Sequence, residues 1–155
     1  MFCNCQSLKE LNLSNYNTKS VTNMSYMFCT CPLLKQLILS SFNTYNVINM
    51  SCMFYGCSSL KELNLNNFNA NNVTNMSCMF SRCSSLKELN LNYFNTINVN
   101  DTNDILFGCS SLEKIYFHNL NINNIIDMNF RLRLDELKTK IKGKFKNYEK
   151  EAFIY

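Results

Sequence analysis

Cys57-Ser58-Ser59-Leu60-Lys61-Glu62-Leu63-Asn64-Leu65-Asn66-Asn67-Phe68-Asn69, followed by Asn72-Val73-Thr74-Asn75-Met76-Ser77-Cys78-Met79-Phe80, decides the fold, because it recurs on both sides of itself. Steps of 26 residues from Cys57 reach Cys31 and Cys5 in one direction and Cys83 and Cys109 in the other. The same step links Leu8, Leu34, Leu60, Leu86 and Leu112, and likewise Leu11, Leu37, Leu63, Leu89 and Ile115. Tyr16, Phe42, Phe68, Phe94 and Leu120 form a further column, each followed at once by Asn17, Asn43, Asn69, Asn95 or Asn121. Met24, Met50, Met76 and Met128 keep the period too, with Thr102 as the exception. No insertion or deletion disturbs it.

One such unit is too short to bury its own apolar residues, whereas stacked units cover each other's faces. Leu63 and Leu65 are spaced for one side of a short strand, with Asn64 on the other. Asn is a poor helix former, and the leucines lack a sustained helical stripe. The expectation is therefore a repeat solenoid, a leucine-rich-repeat-like coil with one short parallel β-strand per 26-residue rung over residues 1–130. Strands about 4.8 Å apart would give a body roughly 24 Å long.

Composition agrees with this and excludes other classes. The chain has 155 residues, with 27 Asn but 3 Gly, 1 Pro and no Trp, which argues against a many-turned sandwich on Gly-rich hairpins. No run of about 18 apolar residues spans a membrane, and Met1–Gln6 lacks the basic and apolar regions of a signal peptide. Residues 1–130 carry seven basic and seven acidic side chains, so the net +4 sits in the tail from Arg131. A neutral body gives no electrostatic case for nucleic acid. Met1-Phe2 aligns with Met27-Phe28, so the chain opens mid-repeat, as a piece of a longer array would.

The Asn column has a physical reading. A coil with few regular hydrogen bonds leaves inward backbone groups needing partners, and an amide offers two donors and an acceptor. Asn17, Asn43, Asn69, Asn95 and Asn121 are expected to form an inward structural ladder, with Asn46, Asn72, Asn98 and Asn124 as a second one that Ser20 ends. Asn also tolerates left-handed turns, which lets it stand in for the scarce Gly. Cys5, Cys31, Cys57, Cys83 and Cys109 read as small apolar fillers of the coil. Cys3-Asn4-Cys5 over Cys29-Thr30-Cys31 departs from the usual zinc spacing, so no metal and no cofactor is expected.

The quoted residues resemble the BspA-type leucine-rich repeat family, which has 26-residue units and is known for surface proteins. The resemblance implies a leucine-rich-repeat solenoid, a role in binding or adhesion, a location at the cell surface or outside the cell, and a host matrix or cell-surface protein as partner. It supplies no catalytic residues. The missing signal peptide leaves the cytoplasm open as well.

Outward residues of the strands would form the binding face: Glu62, Asn64, Glu88, Asn90, Lys114, Tyr116 and His118. Tyr116, with His118 and Lys114, is its one anchor-like cluster. His118 is the only histidine and has no paired acid or nucleophile, so the chain reads as non-enzymatic. Leu134, Leu137, Ile141, Phe145 and Tyr148 share a helical face behind Asp135 as N-cap, which makes 131–155 a basic amphipathic C-terminal α-helical cap. Two other functions stand beside a protein-binding adhesion module: a structural spacer array, and membrane contact with an anionic surface through the Lys-rich tail.

Overall fold

A computed structural model of the chain describes residues 1–94 and 96–116. The Leu-x-Leu segments form four strands: β1 (Glu10–Asn12), β2 (Gln36–Ile38), β3 (Glu88–Asn90) and β4 (Lys114–Tyr116). β1 pairs in parallel with β2, Glu10 opposite Gln36, and β3 with β4, Glu88 opposite Lys114, so both registers are offset by one repeat. Asn ends β1 and β3. Asn12 Oδ1 accepts the N–H of Ser14 at 2.9 Å and Asn90 Oδ1 that of Asn92 at 3.0 Å, which turns the backbone out of the ladder.

A second parallel ladder closes the other side of each circuit through bridges Asn23–Asn49, Asn49–Asn75 and Asn75–Asp101. Here Met50 N–H reaches forward to Asn75 O at 2.9 Å, Cys52 to Ser77 at 2.9 Å and Phe54 to Met79 at 2.9 Å, while Thr74 N–H reaches back to Ile48 O at 2.9 Å. At the strands the bonds also run both ways, Lys35 N–H back to Lys9 O at 2.8 Å and Leu13 N–H forward to Ile38 O at 2.9 Å. One repeat is one circuit of a stacked-repeat fold.

The core lies between these two ladders as columns. Phe2, Phe28, Phe54 and Phe80 stack with ring centroids 5.7, 5.7 and 5.8 Å apart, and Phe42, Phe68 and Phe94 at 6.2 and 6.2 Å. The Cys column does more than fill space. Cys57 Sγ donates to Phe28 O at 3.2 Å and Cys83 Sγ to Phe54 O at 3.1 Å, so each buried thiol satisfies a carbonyl one rung back.

The Asn columns differ from expectation. Asn17, Asn43 and Asn69 do not point inward; each Oδ1 accepts the N–H two residues on, at 3.1, 3.0 and 2.8 Å. Thr supplies the inter-rung link at that corner: Thr44 Oγ1 donates to Asn69 O at 2.8 Å and accepts its N–H at 2.7 Å, as Thr18 does with Asn43. A short β-branched hydroxyl fits the buried corner where a longer amide would overfill it. The second column does cross rungs, Asn46, Asn72 and Asn98 donating to the carbonyls of Lys19, Tyr45 and Asn71 at 2.7, 2.7 and 2.6 Å.

Left-handed turns fall elsewhere too. They form two columns, Tyr26, Cys52, Cys78 and Asp104, and Asn4, Thr30, Gly56, Arg82 and Gly108, so Asn takes this role once. The cap expected over 131–155, together with Asn95, Asn121, Asn124 and His118, lies outside the described residues.

Thr102 occupies the Met column, is buried, and its hydroxyl has no partner among the described residues. An unbonded buried hydroxyl costs about 1–3 kcal/mol. Thr102→Val keeps the shape and removes that cost, so its urea midpoint is expected to rise by the equivalent of about 1 kcal/mol. Thr102→Ser, which keeps the hydroxyl and loses a methyl, should lower it.

Candidate functional site

The third rung departs from the expected strand per repeat. Residues 62–64 form no strand, and no backbone hydrogen bond joins 61–65 to 35–39 among the described residues. The next corner differs between the rungs as well. In the second rung, Ser41 Oγ reaches the carbonyls of Leu13 and Tyr16, both at 2.9 Å. In the third, Asn67 Nδ2 makes the equivalent bonds to Leu39 O at 3.0 Å and Phe42 O at 2.6 Å. The amide is longer than the hydroxyl and spans from the third rung to the second at this corner. Opposite, the second ladder stays closed, so the opening is a wedge.

This wedge is a groove of about 430 Å³ lined by Leu37, Ile38, Leu39 and Ser40 on one lip and Asn64, Asn66 and Asn67 on the other. Ile38 gives it an apolar wall where the same column carries Asn12, Asn64 and Asn90, with Tyr116 in the last strand. Leu37 and Leu39 are buried beneath it. Asn64 Oδ1 accepts the N–H of Asn66 at 3.0 Å, which fixes the polar lip. Because Gln36 N–H reaches Lys9 O at 3.4 Å and Leu13 N–H reaches Ile38 O at 2.9 Å, β2 uses Gln36 and Ile38 toward β1. Alternation then turns the N–H and C=O of Leu37 toward the groove. Exposed Lys35 and Lys61 stand at one end, and Gln36 replaces the Glu found at Glu10, Glu62 and Glu88.

The expected binding residues divide between two places. Glu62 and Asn64 are exposed on the third rung, where Asn64 lines the groove. Glu88 and Asn90 on β3 face Lys114 and Tyr116 on β4, and Lys114 Nζ meets Glu88 Oε1 at 2.5 Å. The hydrogen bond to Glu88 holds the Lys114 ammonium above its usual pKa. Both groups are half exposed, so the pair contributes little to stability. Tyr116 is 43% exposed beside them. The wedge residues Ile38 and Asn67 were missed as site residues. Ile38 departs from the Asn of Asn12, Asn64 and Asn90, whereas Asn67 repeats Asn15 of its own column and carried no such signal. Among the described residues no three His, Cys, Asp or Glu side chains converge to hold a metal ion.

The stacked body coincides with a known family, since the model described as "Mycoplasma protein of unknown function, DUF285" matches residues 1–120. The chain belongs to the DUF285 family. In this DUF285 chain the match runs through every described rung and ends before the Lys-rich 131–155. Neither the curated proteins nor the solved structures yield a match.

Proposed function

We propose that this DUF285 chain is a non-enzymatic protein-binding module that takes an extended peptide into the groove between β2 and the third rung. The observation that carries this reading is the break in the strand ladder. An open strand edge is a template for another backbone, and a peptide that adds a strand gains main-chain hydrogen bonds along with side-chain pockets. Leu37 offers the donor and acceptor, Ile38 the apolar contact, and the Asn lip further amide bonds. Lys35 and Lys61 favour an acidic side chain at that end of the peptide. A stacked array held by two ladders needs no ordering on contact, which lowers the cost of binding.

The 26-residue pattern and its resemblance to BspA-type leucine-rich repeats extend the reading to a surface protein with an adhesive role and a protein partner. A spacer array is the competing function, and it predicts no peptide recognition at all.

A randomised display library of blocked octapeptides, selected on the full chain, tests the proposal. Ile38→Asn restores the residue found at Asn12, Asn64 and Asn90 and should fold normally. Enriched peptides are expected to lose at least about tenfold in affinity for this variant, a difference of 1.4 kcal/mol, and again when their own backbone is N-methylated. Tyr116→Ala should leave them unaffected. Equal binding to Ile38→Asn, indifference to N-methylation, or no enrichment would each overturn it, the last in favour of the spacer.

A further inference from the structure

The chain has nine cysteines, an odd number, and the fold divides them into an inner five and an outer four. Cys5, Cys31, Cys57, Cys83 and Cys109 make the inner column, and the thiols of the last four are engaged by Phe carbonyls one rung back at 3.0–3.2 Å. Cys3, Cys29, Cys52 and Cys78 stand outside it. Cys3 is exposed, and Cys52 and Cys78 are half-buried.

These four sit one above another in twos. Asn4 N–H reaches Cys29 O at 2.7 Å, which sets Cys3 beside Cys29 on the neighbouring rung. Cys52 N–H reaches Ser77 O at 2.9 Å, which sets Cys52 beside Cys78. Both residues of the second pair have φ 54°, so their side chains leave the backbone in the same direction. Burial first, and then the neighbouring thiol, Cys3 for Cys29 and Cys52 for Cys78, raises the pKa in each pair. Parallel neighbours about 4.8 Å apart fall within the Cα range of a disulfide, roughly 4.4–6.8 Å.

We propose that the outer thiols are paired oxidation sites, forming the cross-rung disulfides Cys3–Cys29 and Cys52–Cys78 in contact with a low-molecular-weight disulfide such as glutathione disulfide. In each pair one thiol loses its proton and its sulfur attacks the oxidant, giving a mixed disulfide and releasing one glutathione. The partner thiol then loses its proton and displaces the second glutathione. Two cysteine thiols and one glutathione disulfide thus become one cystine and two glutathione thiols. Each bond closes one circuit and ties a rung to its neighbour along the stack axis. Burial, with the neighbouring Cys52 next in importance, pushes the Cys78 thiol up to about 11, so closure of that pair should quicken as pH rises toward that value. The pairing is independent of the peptide groove.

The full native chain, incubated with glutathione disulfide and then alkylated, reports the outcome by free-thiol count and non-reduced peptide mapping. Four thiols are expected to disappear, 9 − 4 = 5, with links only between Cys3 and Cys29 and between Cys52 and Cys78. Cys52→Ser should abolish the second link and leave the first. The oxidised chain should melt several degrees higher, and reduction should reverse the shift. Nine thiols persisting, a Cys29–Cys52 link, any link to the inner column, or formation only in denaturant would overturn the proposal.

Discussion

Phe54→Ala is expected to destabilise the chain by about 3–5 kcal/mol, a large share of the roughly 5–15 kcal/mol that holds a domain folded. The ring is fully buried and stacked on both sides, 5.7 Å from Phe28 and 5.8 Å from Phe80. Its backbone is pinned as well, since Phe54 N–H reaches Met79 O at 2.9 Å and Phe54 O accepts the Cys83 thiol at 3.1 Å. Neighbouring rungs therefore cannot close into the space the ring leaves. In a one-dimensional stack, stability is a sum over rungs and interfaces, so a defect in the third of five rungs weakens two interfaces and leaves two short pieces. Fewer than about three repeats do not hold a continuous core. Phe2 has a single stacking partner, Phe28, and is only partly buried, so Phe2→Ala should cost clearly less. Phe107, 52% exposed, should tolerate alanine within about 0.5 kcal/mol. Urea unfolding of the three variants checks the ranking. Equal losses at Phe2 and Phe54 would show that the rungs do not share one core.

The period told which residues are neighbours, and spacing alone carried that far. Cys31, Cys57 and Cys83 are adjacent, as are Met24, Met50 and Met76, because any structure that repeats every 26 residues must stack like on like. Spacing says nothing of direction. Asn17 and Asn46 both recur every repeat, yet the first closes its own turn and the second reaches the rung before it. The difference lies in backbone dihedrals set by the whole circuit. Left-handed positions were hidden for the same reason. Gly56 and Gly108 hint at one of those columns, but Thr30 and Arg82 share it, and the other column holds Tyr26, Cys52, Cys78 and Asp104. Ladder bonds on both sides force those residues into a conformation their side chains disfavour. The groove was the least legible feature. It is lined by Ile38 and Asn67, single residues that the eye treats as ordinary repeat drift.

Alkaline pH should unfold the chain through its inner cysteines, and this effect rivals the loss at Phe54. Burial is the main cause that pushes the Cys57 thiol from 9.0 up to about 12, and it drives Cys83 well above its ordinary value with help from Cys57 and Cys109. Cys31 is raised by burial as well. A thiol is neutral when protonated, so a raised folded pKa means that the native state keeps a proton the unfolded chain has already released. The contribution is whole below the unfolded value and is lost as pH climbs toward the folded one, which places the window between 9.0 and about 12. Each pH unit in it costs about 1.4 kcal/mol per such thiol, so Cys57 alone removes about 4 kcal/mol across the window, and Cys83 adds to it. Urea midpoints taken across this range should fall steeply, with thiolate absorbance appearing together with the loss of native circular dichroism. Cys57→Ala should shallow the slope by about one thiol's share, at the expense of a lower starting stability from the unpaired Phe28 carbonyl. If the inner thiols ionised near about 8.5, the value of a free thiol, while the dichroism stayed native, water would have to reach the centre of the stack, and columns of Phe and Cys packed rung on rung leave no path for it.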